Sequence, residues 1–302
     1  MKIFPFFVFF FGVLVLHGCG DKFQPNKEIK TDCTLGSEPI RKVLFVGWDG
    51  VRTDALLAAN TPCVDSLLNH AYYNWNTDRG EHTVSVPGWS TILHGVWPAK
   101  HGLFDNTFKT NEYSTYKDIF SLAKQIKPTL SVANLSNWDD FLRITENENY
   151  AQRFDSDMDL KNDAIRVINS CTPDIMVLHF DNPDAFGHDS GFSPNNQPYL
   201  DAITLSDTYL AEIMEVVKQR ESAFNEQWLV VISTDHGGEG TGHGNQYDLP
   251  QTRYVWSILR RPDLATSTEL PIVNSVDLLP TMLNWLNIPV QSSWNLDGVV
   301  LF

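Results

Sequence analysis

Lys42-Val43-Leu44-Phe45-Val46-Gly47-Trp48-Asp49-Gly50 is the stretch that decides the fold. A continuous apolar run that ends in Asp-Gly reads as a strand buried on both faces and followed by a tight turn. Similar short runs recur at 130–135, 174–180, 228–233 and 254–259. Between them lie stretches of helical period at 54–70, 116–126, 199–218 and 276–286. Strands alternating with helices predict an α/β layer fold with a largely parallel central sheet. The segment 106–172 is the least regular and reads as polar loops with short helices. No repeat and no Pro- or Gly-rich linker divides the chain, which predicts one domain over 41–302.

The polar residues fall where such a sheet collects ligands, at the carboxyl ends of its strands. Asp49 follows the first strand. His179, Asp181, Asp184 and His188 belong to or follow the 174–180 strand, and Asp235 and His236 follow the 228–233 strand. Aspartate and histidine together suit zinc and similar divalent ions. Asp184-x-x-x-His188 spaces a carboxylate and an imidazole one helical turn apart, although Pro183 and Gly187 predict a loop rather than a helix. In Asp235-His236-Gly237-Gly238 the glycines let the chain turn, so adjacent side chains need not point to opposite faces. A lone histidine is more often a hydrogen-bonding residue than a ligand. The convergence of three strand ends is what points to metal.

The chain has 302 residues, 42% hydrophobic and 20% charged, an ordinary globular composition that excludes a disordered chain. Its 37 acids against 22 bases give a net charge of −15, which repels nucleic-acid backbones and excludes a basic nucleic-acid groove. At the amino end, Lys2 precedes the apolar run from Ile3 to Leu16, and Leu16-His17-Gly18-Cys19 is similar to a bacterial lipobox. Residues 1–18 are expected to be a signal peptide and 19–40 a polar tether. A lipid-anchored Cys19, an ordinary cleaved signal and an uncleaved anchor are the three readings. All place the body of the protein outside the cytoplasm, in the periplasm or at the cell surface, touching a membrane only through that end. With Cys19 acylated, Cys33, Cys63 and Cys171 remain, one pair and one thiol, with the pairing open. No C-x-x-C spacing exists, so the cysteines are poor metal ligands.

The motifs Asp49-Gly50-Val51-Arg52, Ser85-Val86-Pro87-Gly88-Trp89, Asp184-x-x-x-His188 and Asp235-His236-Gly237 stand in that order. Ile92–Pro98, His101-Gly102, Asp105-Asn106 and Val276–Thr281 extend the series. Together, from Arg41 to Phe302, they resemble the alkaline phosphatase superfamily, and within it the type I phosphodiesterase/nucleotide pyrophosphatase branch. The resemblance implies a three-layer α/β/α fold and two divalent ions, usually zinc. It implies Asp49, Asp235 and His236 on one ion, with Ser85 facing it, and Asp184, His188 and a third histidine on the other. His243 is the one histidine that follows the Asp-His-Gly motif. In the nucleotide pyrophosphatases that ligand comes after an insertion for which Gly237–Gly244 leaves no room, so a more open site is expected.

The family's nucleophile lies directly before the x-Pro of its motif, which implies Ser85, at the start of a helix whose free N–H groups and dipole favour a phosphoryl oxygen. Pro87 fits the first turn. Ser90 and Thr91 remain as rivals, expected inside the helix. Asn106 matches an asparagine that donates to phosphate, with a plain turn residue after Asp105 as the other reading. His179 is expected beside the metal site or in the core, and His94 and His101 as structural. His82 lies near Ser85 without an assigned role. Trp48 and Trp89 either line a substrate pocket or pack.

These residues imply a phosphoesterase acting through a covalent phosphoseryl-type intermediate, with coordination activating Ser85 without a general base. Phosphodiesters or nucleotide pyrophosphates are the expected substrates. A phosphomonoesterase, a sulfatase and an inactive metal-binding surface lipoprotein are the alternatives; Trp89 stands where a sulfatase would carry arginine. Oligomeric state is open. Loss of the leader removes one lysine and leaves −16. Two divalent ions add +4 where three carboxylates add −3, so a locally positive site can exist inside an acidic protein.

Overall fold

A computed structural model describes residues 38–170 and 173–302. The leader, nearly all of the tether, and Cys19, Cys33 and Cys171 lie outside the described residues. Cys63 is a free, half-buried thiol.

Eight strands form one sheet: β1 (Ile40–Trp48), β2 (Ala71–Asp78), β3 (Val132–Ser136), β4 (Tyr150–Arg153), β5 (Ile175–Phe180), β6 (Glu226–Ser233), β7 (Tyr254–Arg260) and β8 (Thr268–Glu269). Their order across the sheet is β4-β3-β5-β1-β6-β7-β2-β8. From β4 to β6 every pairing is parallel, whereas β7 runs antiparallel to both β6 and β2. β1 lies in the middle, flanked by β5 with Gly47 opposite His179 and by β6 with Gly47 opposite Ser233. The order reverses across β1, so this is the switch point at which a doubly wound sheet binds ligands.

Alternation along the central strands builds the layers. Leu44, Val46 and Trp48 of β1 join Met176, Leu178 and Phe180 of β5 and Val230 and Ile232 of β6 on one face. The helices Asp157–Asn169 and Gln197–Phe224 cover them through Leu160, Ala164, Ile203, Leu210 and Ile213. Val43, Phe45, Ile175, Val177, Leu229 and Val231 point to the other face. There the helices Ser85–His94, Ile119–Ile126 and Leu278–Trp285 pack. The fold is the expected α/β/α sandwich.

Three local readings need correction. The apolar period over 54–70 is divided into helices Thr53–Ala58 and Pro62–Leu67 and a 3₁₀ turn at Leu68–His70. Thr61, which precedes a proline, leaves helical geometry, and Pro62 then starts the second helix. Asp184 and His188 sit on a regular helix, Asn182–Ser190, not a loop. Pro183 falls in its first turn, where its missing N–H costs nothing. Gly187 is there because a β-carbon would sit 2.2 Å from the Phe192 ring. Within the irregular segment 106–172, a long helix runs over Asp157–Asn169, capped by Ser156, whose Oγ accepts from Asp159 N.

Candidate active site

The carboxyl ends of β1, β5 and β6 deliver the proposed ligands. Asp49 leaves β1 with its N–H on Phe180 O, 2.9 Å away. Gly50 makes the turn with φ +67, and a β-carbon there would lie 2.5 Å from Asp184 Oδ1, so the chain passes directly under that carboxylate. Beyond β6, Arg52 ties the Asp-His-Gly loop to the Asp-Gly-Val-Arg turn. Its NH1 donates to Gly238 O at 3.2 Å and Phe192 O at 2.9 Å.

Two clusters result. In the first, His236 Nε2 stands 3.2 Å from Ser85 Oγ, 3.3 Å from Asp235 Oδ2 and 3.4 Å from Asp49 Oδ1. In the second, His188 Nε2 stands 3.1 Å from His243 Nε2 and 3.3 Å from Asp184 Oδ2, and Asp184 Oδ1 is 3.8 Å from His243 Nε2. The His236 and His243 rings stack at 3.7 Å between the clusters. Asp184 also groups with Asp49 and His236 at ligand distances, so its carboxylate borders both. All seven residues expected at the metals, Ser85 included, therefore converge, and His243 reaches the second cluster without any insertion. Its loop is closed by a Glu239 N to Gly242 O bond of 2.9 Å.

The donor chemistry fits divalent cations. His236, His188 and His243 each place Nδ1 on a backbone carbonyl, of Gly237 at 2.8 Å, Thr241 at 2.9 Å and Thr83 at 2.7 Å. A carbonyl only accepts, so Nδ1 carries a proton in each ring and Nε2 is the nitrogen turned inward, as a lone pair in His236 and as the donor to Asp184 in His188. Asp49 Oδ1, Asp184 Oδ1 and Asp235 Oδ2 are buried without a hydrogen-bond partner. Inward lone pairs and orphaned carboxylate oxygens at 3–4 Å repel one another unless positive charge lies among them.

The electrostatics agree. Burial and the Asp49 charge push the Asp235 carboxyl well above its usual range, and the same two causes raise Asp184. Burial also acts on Asp49, but the His179 hydrogen bond and the His236 charge outweigh it and hold that carboxyl low. Burial and His243 push His236 well down, whereas the hydrogen bond to Asp184 lifts His188 to about 9.

The nucleophile candidates separate by environment. Ser85 is the first residue of its helix, and its hydroxyl faces the first cluster. Ser90 Oγ donates back to Val86 O at 2.6 Å and lies 2.6 Å from Tyr113 OH, while Thr91 Oγ1 lies 3.2 Å from His101 Nε2. Both are buried, with hydrogen-bond partners that belong to neither cluster. Asn106 Oδ1 accepts from Val86 N at 2.9 Å, and the turn after Asp105 is held by Asp105 itself, through Thr107 N. Asn106 thus keeps its amide Nδ2 for donation. The helix start offers fewer free amides than expected, because Val86 N–H is taken by Asn106 and Pro87 has none.

Other sequence candidates fall outside the clusters. His179 is fully buried, and its Nε2 donates to Asp49 Oδ2 at 2.8 Å. Trp89 is buried over Gly47 and donates to the same oxygen at 3.1 Å, so it positions Asp49 and lines no pocket. Trp48 packs against Trp256. His94 and His101 are buried and hydrogen-bonded, as expected. Asp181 groups with Asp49 and His179, and burial lifts its carboxyl to about 6. His82 meets Phe104 edge-on and lines a cavity of about 490 Å³ with Asp78, Glu81, Trp97 and Arg253; none of the clustered ligands borders it. Thr83, Thr241 and Arg79 carry no signal as positioning groups in the sequence, since hydrogen bonds to backbone carbonyls leave no motif.

Comparison with known proteins agrees with this geometry. The profile of the type I phosphodiesterase/nucleotide pyrophosphatase family matches residues 43–127 and 113–252. GPI ethanolamine phosphate transferase 2 of Schizosaccharomyces pombe is 23% identical over 93% of this chain, which spans 42% of that protein. Murine ectonucleotide pyrophosphatase/phosphodiesterase 5, an inactive variant in complex with AMP, superposes with TM-score 0.67 at 15% identity, covering 83% of this chain and 96% of that one. A 2-O GAG sulfatase superposes with TM-score 0.68 at 16% identity, covering 88% and 73%. The chain belongs to the type I phosphodiesterase/nucleotide pyrophosphatase family, within the alkaline phosphatase superfamily.

Proposed function

We propose that this protein is an extracytoplasmic phosphoesterase that cleaves phosphodiester or nucleotide pyrophosphate bonds through a covalent intermediate on Ser85. One observation carries the reading: a helix-start hydroxyl lies 3.2 Å from His236 Nε2, in a cluster with two orphaned carboxylate oxygens. Asp49, Ser85, Asp235 and His236 would hold one divalent cation, and Asp184, His188 and His243 the other, with zinc suited to this mixture of oxygen and imidazole donors. When bound, such ions supply charge neutralisation and Lewis acidity to a phosphoryl group.

The chain supplies the rest. Ser85 Oγ forms the new bond to phosphorus as the leaving alcohol or phosphate departs with the bonding pair and takes up a proton. Asn106 Nδ2 donates to a phosphoryl oxygen and so favours the crowded transition state. Trp89 and His179 fix Asp49, and thereby the direction from which Ser85 approaches. Water then cleaves the phosphoseryl bond and restores the hydroxyl.

The test is one panel on the full chain, treated with chelator and reloaded with zinc. Substrates are bis(4-nitrophenyl) phosphate, 4-nitrophenyl phosphate, a nucleotide 4-nitrophenyl ester and 4-nitrophenyl sulfate. Diester or nucleotide-ester turnover that vanishes on chelation and returns with zinc is expected. Turnover of the sulfate ester alone would assign the protein to the sulfatase side of the superfamily, and no turnover would leave a binding protein.

A further inference from the structure

Arg79 is an unusual residue to find under an active site. Its side chain is among the largest that are fully buried, and only 2% of the residue is exposed. Nε donates to Asp235 O at 2.6 Å, NH2 reaches Val84 O at 3.4 Å, and NH1 has no partner. Among the described residues no carboxylate pairs with it directly; neighbouring Asp78 is engaged by Arg253 at 2.9 and 3.0 Å. A guanidinium that gives up water for two carbonyls and leaves one nitrogen unpaired is expensive unless its charge is used.

Its two acceptors identify that use. Asp235 O is the main-chain carbonyl of a proposed ligand at the end of β6, and Val84 is the N-cap residue directly before Ser85. One side chain thus bridges the ligand strand and the start of the nucleophile helix. Gly88 leaves the space, since a β-carbon there would sit 2.6 Å from Arg79 NH2 and 2.8 Å from Asp235 Cβ. The Arg79 charge also acts on the Asp235 carboxyl, opposing the effect of burial and of Asp49.

We infer that Arg79 is a positioning residue, which holds the Ser85 helix start in register with Asp235 at the end of β6. This role rests on the phosphoesterase reading for its effect on turnover, but not for its effect on metal affinity. A guanidinium spans both acceptors with its planar fork, whereas an ammonium in its place can hold Asp235 O but not Val84 O as well.

The experiment compares the full chain with Arg79→Gln and Arg79→Lys. Three quantities are read: zinc affinity by competition with a chromophoric chelator, kcat and KM on bis(4-nitrophenyl) phosphate, and urea unfolding of the metal-free protein. Arg79→Gln is expected to weaken zinc binding about 10- to 100-fold. Its kcat should fall at least about 10-fold with KM little changed, because the lost interaction orients the nucleophile. Arg79→Lys should recover most of the zinc affinity but not kcat. Arg79→Gln with wild-type zinc affinity and kcat overturns the proposal, as does Arg79→Lys recovering both or neither. Should Arg79→Gln fail to fold, Arg79→Lys alone decides, since near-normal affinity with depressed kcat supports the role and any other pattern overturns it. Absence of turnover in zinc-loaded wild type would sink the phosphoesterase reading, and the zinc affinities would still judge the hold on Asp235.

Discussion

Ser85 Oγ and His236 Nε2 lie 3.2 Å apart, with Nδ1 of that ring fixed on Gly237 O. The hydroxyl therefore meets a lone pair, to which it donates its proton in a hydrogen bond. Ser90 and Thr91, five and six positions on, have hydroxyls already satisfied by Val86, Tyr113 and His101. Of the three hydroxyls, only that of the first helix residue faces the cluster.

Ser85→Ala should reduce kcat by about 10³-fold or more, the scale on which loss of a nucleophile leaves only binding and charge stabilisation. Zinc affinity should fall far less, because Asp49, Asp235 and His236 remain. Turnover assayed beside zinc content checks this; full activity in the variant would remove the assignment.

His179→Ala should weaken zinc binding about 10- to 100-fold, the usual consequence of losing the group that orients a ligand. The 2.8 Å bond from His179 to Asp49 Oδ2 is the stronger of the two that hold that carboxylate. Trp89→Phe, which removes the 3.1 Å bond and keeps most of the packing, should have the smaller effect. Chelator competition on both variants ranks them, and the reverse order would contradict the geometry.

Gly47→Ala tests the sheet–helix contact below the site. A β-carbon would lie 2.5 and 2.7 Å from carbons of the Trp89 ring, which is fully buried and cannot retreat. Overpacking at such a point costs about 1–3 kcal/mol. A lowered urea midpoint is expected, together with weaker zinc binding, because the strain falls on the Trp89–Asp49 hydrogen bond.

His101 gives the protein an acid-sensitive term. Burial pushes its imidazole down to about 3, and Leu103 N donates to its Nδ1 at 3.2 Å, so protonation would set two N–H groups against each other. The unfolded chain takes up this proton near 6.5, the folded chain only near 3. Between those values the unfolded state binds more protons, so stability falls as pH falls, by up to about 1.4 kcal/mol per unit from this group. Urea unfolding at pH 7.0, 5.5 and 4.5 should show a shallower decline in His101→Gln than in wild type.

The central strands were legible because each is buried on both faces, which leaves an uninterrupted apolar run. β1, β5, β6 and β7 all carry one. β2 was not: its Ala-Tyr-Tyr-Asn-Trp-Asn-Thr-Asp sequence is half-exposed and follows directly on a helical period. The Asp184–His188 helix was misread because Pro183 and Gly187 break helices in general, yet here one sits in the first turn and the other makes room for Phe192. The clustering of these carboxylates and imidazoles was readable, since such residues directly after strands announce themselves. Their supports were not. Thr83 serves His243 through its backbone oxygen, and Arg79 sits in the run Asp78-Arg79-Gly80-Glu81-His82, which reads as a solvated loop.

The short loop from His236 to His243 has a mechanical meaning. It carries one ligand of each cluster, is pinned by Arg52 and by its own Glu239–Gly242 bridge, and stacks its two imidazoles face to face. A cation that settles one ring also settles its neighbour, and the shared Asp184 carboxylate passes the same constraint along a second route. If each cluster holds a cation, as proposed, the two are expected to load as a coupled pair. A zinc titration of the metal-free chain should rise more steeply than two independent sites allow.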